Sequence, residues 1–254
     1  MILAIEIGNT NIVLGCLDDN EIYFVERIST NHNCTDFEYA VKIKSLFDIY
    51  NIDCNQISGT IISSVVPVLV DKIKNAVVKF IDKPVKVVGP GLKTGINIRM
   101  DNPSSVGTDL IINAVGALNK YKPPFLIVFM GTATTISVVD ENGNYIGGTI
   151  MPGMEVGLDS LVHSTAQLPY IGLNNSKHVI GKNTTECMQS GIVLGAASSI
   201  DGLIERIENE LGLKTSRIIT GCYAPKVIKH MKQDVVYEEN LFLEGLRIIY
   251  NKNK

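Results

Sequence analysis

Two short segments of the chain carry the residue types that hold a polyphosphate. The first is Gly8-Asn9-Thr10, directly after the run Leu3-Ala4-Ile5-Glu6-Ile7. The second is Gly131-Thr132-Ala133-Thr134-Thr135, directly after Phe125 to Met130. Each reads as a strand that breaks into a Gly-Thr turn. Such a turn aims several backbone N–H groups and hydroxyls at one point, an arrangement suited to phosphate oxygens. Glycine there permits close backbone approach, although Gly-Asn-Thr also favours a plain β-turn. Two such turns half a chain apart predict two related halves closing on one polyphosphate.

Both turns need strands to carry them. Residues 2–7, 11–17 and 21–28 read as three strands, with Asp18-Asp19-Asn20 as a tight hairpin turn. Thr35 and Glu38 form a capping-box pattern. It opens a helix whose expected apolar face holds Phe37, Ala40, Val41, Leu46 and Phe47. A strand over 59–65, a helix from Pro67 to about Phe80 and a strand over 84–88 follow. The order then repeats. Strands are expected at 125–130, 134–140 and 144–150, a long helix over 184–211, a strand over 216–220 and a helix near 225–232. Three strands, helix, strand, helix, written twice, predict a duplicated α/β unit. The tandem prolines and charges of Asn119-Lys120-Tyr121-Lys122-Pro123-Pro124 mark the expected boundary, giving halves 1–119 and 120–254.

Composition narrows the class of function. The chain has 254 residues, 45% hydrophobic and 19% charged, with a net charge of −3, which describes an ordinary globular protein. Without a basic excess, an electrostatic footprint for nucleic acid is not expected. No apolar run approaches the ~18 residues of a membrane span, and the N-terminus lacks the build of a signal peptide. Cys16, Cys34, Cys54, Cys187 and Cys222 form no CxxC pair, and the histidines show no HxxxH or HExxH spacing. That argues against a disulfide framework and a His/Cys metal site, and for a reducing cytoplasm.

The duplicated unit resembles the fold shared by sugar kinases, Hsp70 and actin. More narrowly, the chain resembles the type III pantothenate kinases from end to end. The matching blocks are Ile7-Gly8-Asn9-Thr10-Asn11, Ser63-Ser64-Val65-Val66-Pro67, Val88-Gly89-Pro90-Gly91, Asn102-Pro103 with Val106-Gly107, and Gly131-Thr132-Ala133-Thr134-Thr135. Gly147-Gly148, Pro152-Gly153, Leu168-Pro169, Gly181-Lys182-Asn183-Thr184 and Met188-Gln189-Ser190-Gly191 follow in the family's order. The resemblance implies ATP-dependent phosphorylation of pantothenate, the first committed step toward coenzyme A. It also implies a homodimer assisted by a divalent ion (Mg2+) and a monovalent cation (K+ or NH4+). Glu6, Gly8, Asn9 and Thr10 match the family's first phosphate loop, with Glu6 at its metal-binding acidic position. Gly131, Thr132 and Thr134 match the second loop, and Asp109 matches the catalytic base. Gly107, Met100 and Thr184 fall at substrate-binding positions. Read without the family, Asp109 is a helix N-terminal aspartate on the run Leu110 to Leu118. Thr184 is likewise a first-turn residue after the N-cap Asn183.

Five positions depart from the family pattern. Glu6 stands for Asp, Leu110 for the Arg that contacts pantothenate, and Phe129 for an Asp beside the monovalent cation; Met100 stands for Tyr and Cys222 for Gly. An added methylene moves the Glu6 carboxylate by roughly 1.5 Å, and leucine replaces neither the charge nor the donor fork of arginine. These departures weigh against activity of the isolated chain. Three functions are therefore expected in order: a pantothenate kinase with an altered site, an impaired paralogue that pairs with an intact subunit, and a non-enzymatic nucleotide or metabolite sensor.

Overall fold

The computed structural model describes residues 1–173 and 178–254. In chain order its first elements are β1 (Ile2–Ile7), β2 (Asn11–Leu17), β3 (Ile22–Ser29), α1 (Asp36–Ile49), β4 (Thr60–Ser64), α2 (Pro67–Val77) and β5 (Val85–Val87). Then come β6 (Asn97–Ile98), α3 (Thr108–Lys120), β7 (Phe125–Met130), β8 (Ala133–Val139), β9 (Asn144–Pro152) and α4 (Met154–Ser164). The chain ends with α5 (Thr184–Leu211), β10 (Ser216–Thr220), α6 (Ala224–Val227), β11 (Val236–Tyr237) and α7 (Leu241–Lys252).

The elements form two units, one of Met1–Ile96, Asn102–Asn119 and Leu241–Lys254, the other of Asn97–Asp101 and Lys120–Asn240. In the first, the strand order is β3-β2-β1-β4-β5. β1 runs antiparallel to β2 and parallel to β4. In the second, the order is β11-β10-β7-β8-β9-β6, with β7 antiparallel to β8 and parallel to β10. Matching β1 to β7 superposes the two orders strand for strand, and β6 is an extra edge strand on the second sheet. This duplicated architecture is the α/β fold of the actin, Hsp70 and sugar-kinase class.

Alternation along β1 decides what covers each face of the first sheet. Leu3, Ile5 and Ile7 join Ile43 and Phe47 of α1 and Leu69 and Ile73 of α2 in one core. Ala4 and Glu6 point the other way, and small residues on that face admit α7. A Cβ on Gly15 would lie 2.5 Å from Leu243 Cδ2, and one on Gly59 would lie 2.1 Å from the Tyr250 hydroxyl. That hydroxyl donates to the Ser58 carbonyl at 3.1 Å. α3 seats on α7 through facing glycines: a Cβ on Gly116 would meet the Leu241 carbonyl oxygen at 2.4 Å, and one on Gly245 the Ile112 carbonyl oxygen at 2.1 Å. In the second unit, Leu126, Val128 and Met130 of β7 pack with Leu158 of α4 and Val193, Ala197, Ile200 and Ile204 of α5.

Several expectations need correction. The capping box of Thr35 and Glu38 is present, but the buried face of α1 is Tyr39, Ala40, Ile43 and Phe47, while Phe37 is 66% and Val41 50% exposed. α2 ends at Val77, short of Phe80, and the helix expected near 225–232 is the four-residue α6 followed by a 3₁₀ turn over Ile228–His230. Asn97–Asp101 group with the second unit because β6 pairs with β9, and Leu241–Lys254 group with the first because α7 covers β1 and β4. α5 is also long and apolar enough, at a mean hydropathy of 1.3 over its best window, to cross a bilayer by length and composition alone. Here Met188, Val193, Ala197, Ile200 and Ile204 of that helix are buried in the core of its unit.

Candidate active site

The end of β1 and the start of α3 bring two carboxylates into one region of the first unit. Glu6 pairs across the sheet with Ser63 of β4. The Ser63 hydroxyl donates to Thr108 Oγ1 at 3.0 Å, and the Thr108 hydroxyl donates to the Ser64 carbonyl at 3.2 Å. These bonds tie the first turn of α3 to the end of β4, so the next residue, Asp109, falls within electrostatic reach of Glu6. Burial of Glu6, with repulsion from Asp109 added, pushes its pKa up from 4.5 to about 7, against the lowering effect of Arg27. Burial also raises Asp109, opposed by hydrogen bonds from the backbone N–H groups of Leu110 and of Asp109 itself. Gly107 leaves room for this carboxylate, since a Cβ there would sit 2.4 Å from Asp109 Oδ1.

The first Gly-Thr turn closes beside Glu6. The Gly8 N–H donates to the Asn11 carbonyl at 3.0 Å. Two bonds from Thr30 brace the turn: its hydroxyl donates to the Gly8 carbonyl at 2.7 Å and its N–H to the Thr10 carbonyl at 2.9 Å. Asn9 and Thr10 are exposed. Glu6, Gly8, Asn9, Thr10, Gly107 and Asp109 thus all belong to the first unit.

Gly131, Thr132, Thr134, Thr184 and Met100 belong to the second. The Gly131 N–H donates to the Ala133 carbonyl at 3.0 Å, closing the second turn between β7 and β8. Two neighbours that the sequence pattern did not flag as site residues buttress it. Gly153, the N-cap of α4, donates to the Thr132 carbonyl at 3.1 Å, and a Cβ on Gly153 would lie 2.2 Å from that same oxygen. The first turn of α4 therefore sits against the Thr132 turn, with the favourable end of its dipole nearby. Gly221, at φ 104°, lies so close to Met130 that a Cβ would approach its carbonyl oxygen to 2.4 Å. The Cys222 thiol faces that same carbonyl at 3.8 Å and is exposed. Phe129 lays its ring across the turn: a Cβ on Gly131 would be 3.0 Å from Phe129 Cζ.

Thr134 and Thr184 line one cavity of about 690 Å³ within the second unit, otherwise walled largely by apolar side chains such as Met151, Met154, Leu168 and Met188. Thr184 is set there by the N-cap of α5, where the Asn183 side chain accepts from the Glu186 N–H at 3.0 Å and donates back to Glu186 Oε1 at 2.9 Å. Met100 is 38% exposed beside β6. Among the described residues no group of three or more His, Cys, Asp or Glu side chains forms a metal cluster.

Comparison with known proteins places this geometry in context. A family model described as type III pantothenate kinase matches residues 2–206. A type III pantothenate kinase from Exiguobacterium sp. strain AT1b is 42% identical over 254 residues, covering 100% of both chains. Among solved structures, a Campylobacter jejuni protein described as a Baf family transcriptional activator is similar at a TM-score of 0.62 and 17% identity, over 99% of this chain and 98% of that one. The ROK hexokinase from Thermus thermophilus is similar at a TM-score of 0.52 and 10% identity, over 100% and 99%. At those identities the two structures speak for the fold alone.

Proposed function

This chain belongs to the type III pantothenate kinase family, and on that premise we propose that it transfers the terminal phosphoryl group of ATP to the hydroxyl of pantothenate in the cytoplasm. The observation that carries the reading is the pair Glu6 and Asp109, two carboxylates within electrostatic reach beside a glycine turn. Phosphoryl transfer asks a protein mainly to position charge and to take the attacking hydroxyl's proton. Asp109, raised toward working pH by burial, accepts that proton. Gly8, Asn9 and Thr10 bind phosphate on the first unit, and Gly131, Thr132 and Thr134 on the second. Gly107, Met100 and Thr184 contact pantothenate.

The donor set at Glu6 fits a divalent ion such as Mg2+, which takes one or two carboxylates together with waters and phosphates. A buried carboxylate repelled by a second one gains from such a charge. Bound there, the ion would neutralise phosphate charge. The position beside the second turn does not fit K+ or NH4+. Phe129 supplies an apolar ring where a carboxylate would be needed, and that ring lies against Gly131. The chain's own catalysis is accordingly independent of a monovalent cation.

Exposed Ile150, Leu161, Tyr170, Val179 and Ile180, all in the second unit and 39–82% exposed, support self-association as a homodimer. Leu110 and Phe129 favour one second reading, a subunit that is silent alone and pairs with an intact paralogue. The test is formation of phosphopantothenate by purified protein with ATP and magnesium, followed by mass spectrometry with and without potassium. Equal product in both is expected. A folded protein that forms none moves the function to the paired-subunit reading.

A further inference from the structure

We propose that Arg27 is a catalytic residue of the phosphoryl transfer, its guanidinium holding the terminal phosphate of ATP at the first Gly-Thr turn. The inference rests on the kinase reading above and adds to it a cation that Leu110 cannot supply. Arg27 stands on β3, the edge strand of the first sheet. Among the described residues of β1, β2, β3 and β4 it alone is basic. Strand register sets its place. Arg27 pairs with Val13, and Val13 pairs with Glu6. Residues opposite each other across a sheet share a face. Arg27 therefore lies on the Glu6 face, two strand spacings or roughly 10 Å from that residue. Its neighbour Glu26 points the other way, where Glu26 Oε1 accepts from the hydroxyl of Tyr50, the C-cap of α1, at 2.5 Å.

Two features direct this guanidinium to a phosphate. It is exposed, and among the described residues none forms an ion pair or a hydrogen bond with it. Its charge is nonetheless felt at Glu6, where it favours the ionised carboxylate. Arg27 also lies beside the turn. Two residues on, about 7 Å along the strand, Ser29 pairs with Asn11, which follows Thr10. Thr30 then braces the turn through its bonds to Gly8 and Thr10. The competing reading is an edge-strand charge that discourages strand addition. Such a charge works anywhere along β3, whereas this one shares a row with Glu6 and a strand with the brace of the turn. Arginine suits the task, since its planar fork donates two parallel hydrogen bonds to phosphate oxygens and stays charged. In the transfer the pantothenate hydroxyl oxygen bonds to phosphorus, the bond from phosphorus to the ADP oxygen breaks, and the hydroxyl proton passes to Asp109. Arg27 keeps its own protons and offsets charge on the non-bridging oxygens.

Equilibrium binding needs no turnover and gives the first arm of the test. Calorimetric titration with ATP and with AMP, each with magnesium, compares the wild type with Arg27→Gln. ATP affinity should fall about tenfold or more, the size of a lost charge-assisted hydrogen bond, with AMP affinity and the melting temperature unchanged. In the second arm, kcat/KM for ATP should fall about 100-fold or more with the KM for pantothenate unchanged. Arg27→Lys, which keeps the charge without the fork, should recover part of that loss. ATP bound equally well by wild type and Arg27→Gln overturns the proposal and leaves the kinase reading standing. Equal losses for ATP and AMP, or a loss confined to the KM for pantothenate, also overturn it, since the guanidinium then serves the nucleoside or the substrate's carboxylate. A wild type that neither binds ATP nor forms product overturns both.

Discussion

Replacing Glu6 by glutamine separates what the first turn costs in stability from what it does. In the native protein burial and Asp109 raise the Glu6 pKa from 4.5 to about 7. Between those values the folded chain holds a proton that the unfolded chain has released. Its contribution to stability is thus fully present below about pH 4.5 and is lost as pH rises through about 7. The difference is about 2.5 in pKa, which at about 1.4 kcal/mol per unit corresponds to at most about 3.5 kcal/mol. Because Glu6 is partly exposed, water reduces this, and about 1–3 kcal/mol is the expected size. Glu208, held near 2, titrates below this range and does not mask the effect. Asp109 contributes with the same sign in both proteins. Urea denaturation at pH 5, 6, 7 and 8 should therefore show Glu6→Gln equal to wild type at the acid end and more stable at pH 8, while its phosphopantothenate formation falls sharply. Stability curves that run parallel from pH 5 to 8 would refute the electrostatic account of the pair.

Gly107→Ala places a Cβ 2.4 Å from Asp109 Oδ1 and forces the carboxylate aside. Its kcat should fall by about 100-fold, as expected of a displacement near 1 Å, with the melting temperature almost unchanged. Glu208 is 3% exposed and accepts hydrogen bonds from Arg217, Lys214 and Thr215. Despite its burial, those partners hold its pKa down to about 2. Glu208→Ala leaves Arg217 half-buried without its partner and should cost about 3 kcal/mol in urea unfolding, with little change in kcat.

The strands and the two turns are legible in the sequence because the central strands are nearly all apolar and end at glycine. β1, β2, β7 and α5 lie where the pattern put them. The buried face of α1 is ambiguous in sequence because two stripes compete on it. Phe37 and Val41 make one and Tyr39, Ile43 and Phe47 another, and only contact with α2 and the sheet selects the second. β6 and β11 are two residues each, too short for any period. α7 has a clear apolar face, yet its partners are small residues such as Gly15 and Gly59, which no local signal links to the C-terminus. At the site, Gly8 and Gly131 declared themselves through turn chemistry, while Asp109 was identifiable as a base only through family likeness. The closeness of Glu6 and Asp109 arises from Ser63 and Thr108 on two other elements.

Because residues 241–254 complete the unit that begins at Met1, the order of synthesis and the order of completion are reversed. At translation rates of ~5–20 residues per second, Thr10 waits roughly 10 to 50 seconds for α7 to be made. The second unit is complete in sequence by Asn240, before the first. Meanwhile the sheet face at Ala4, Gly15 and Gly59 has no cover. A nascent chain stalled before Leu241 therefore displays an apolar surface to chaperones. A chain cut before Leu241 leaves the sheet that carries the N-terminal phosphate turn without α7.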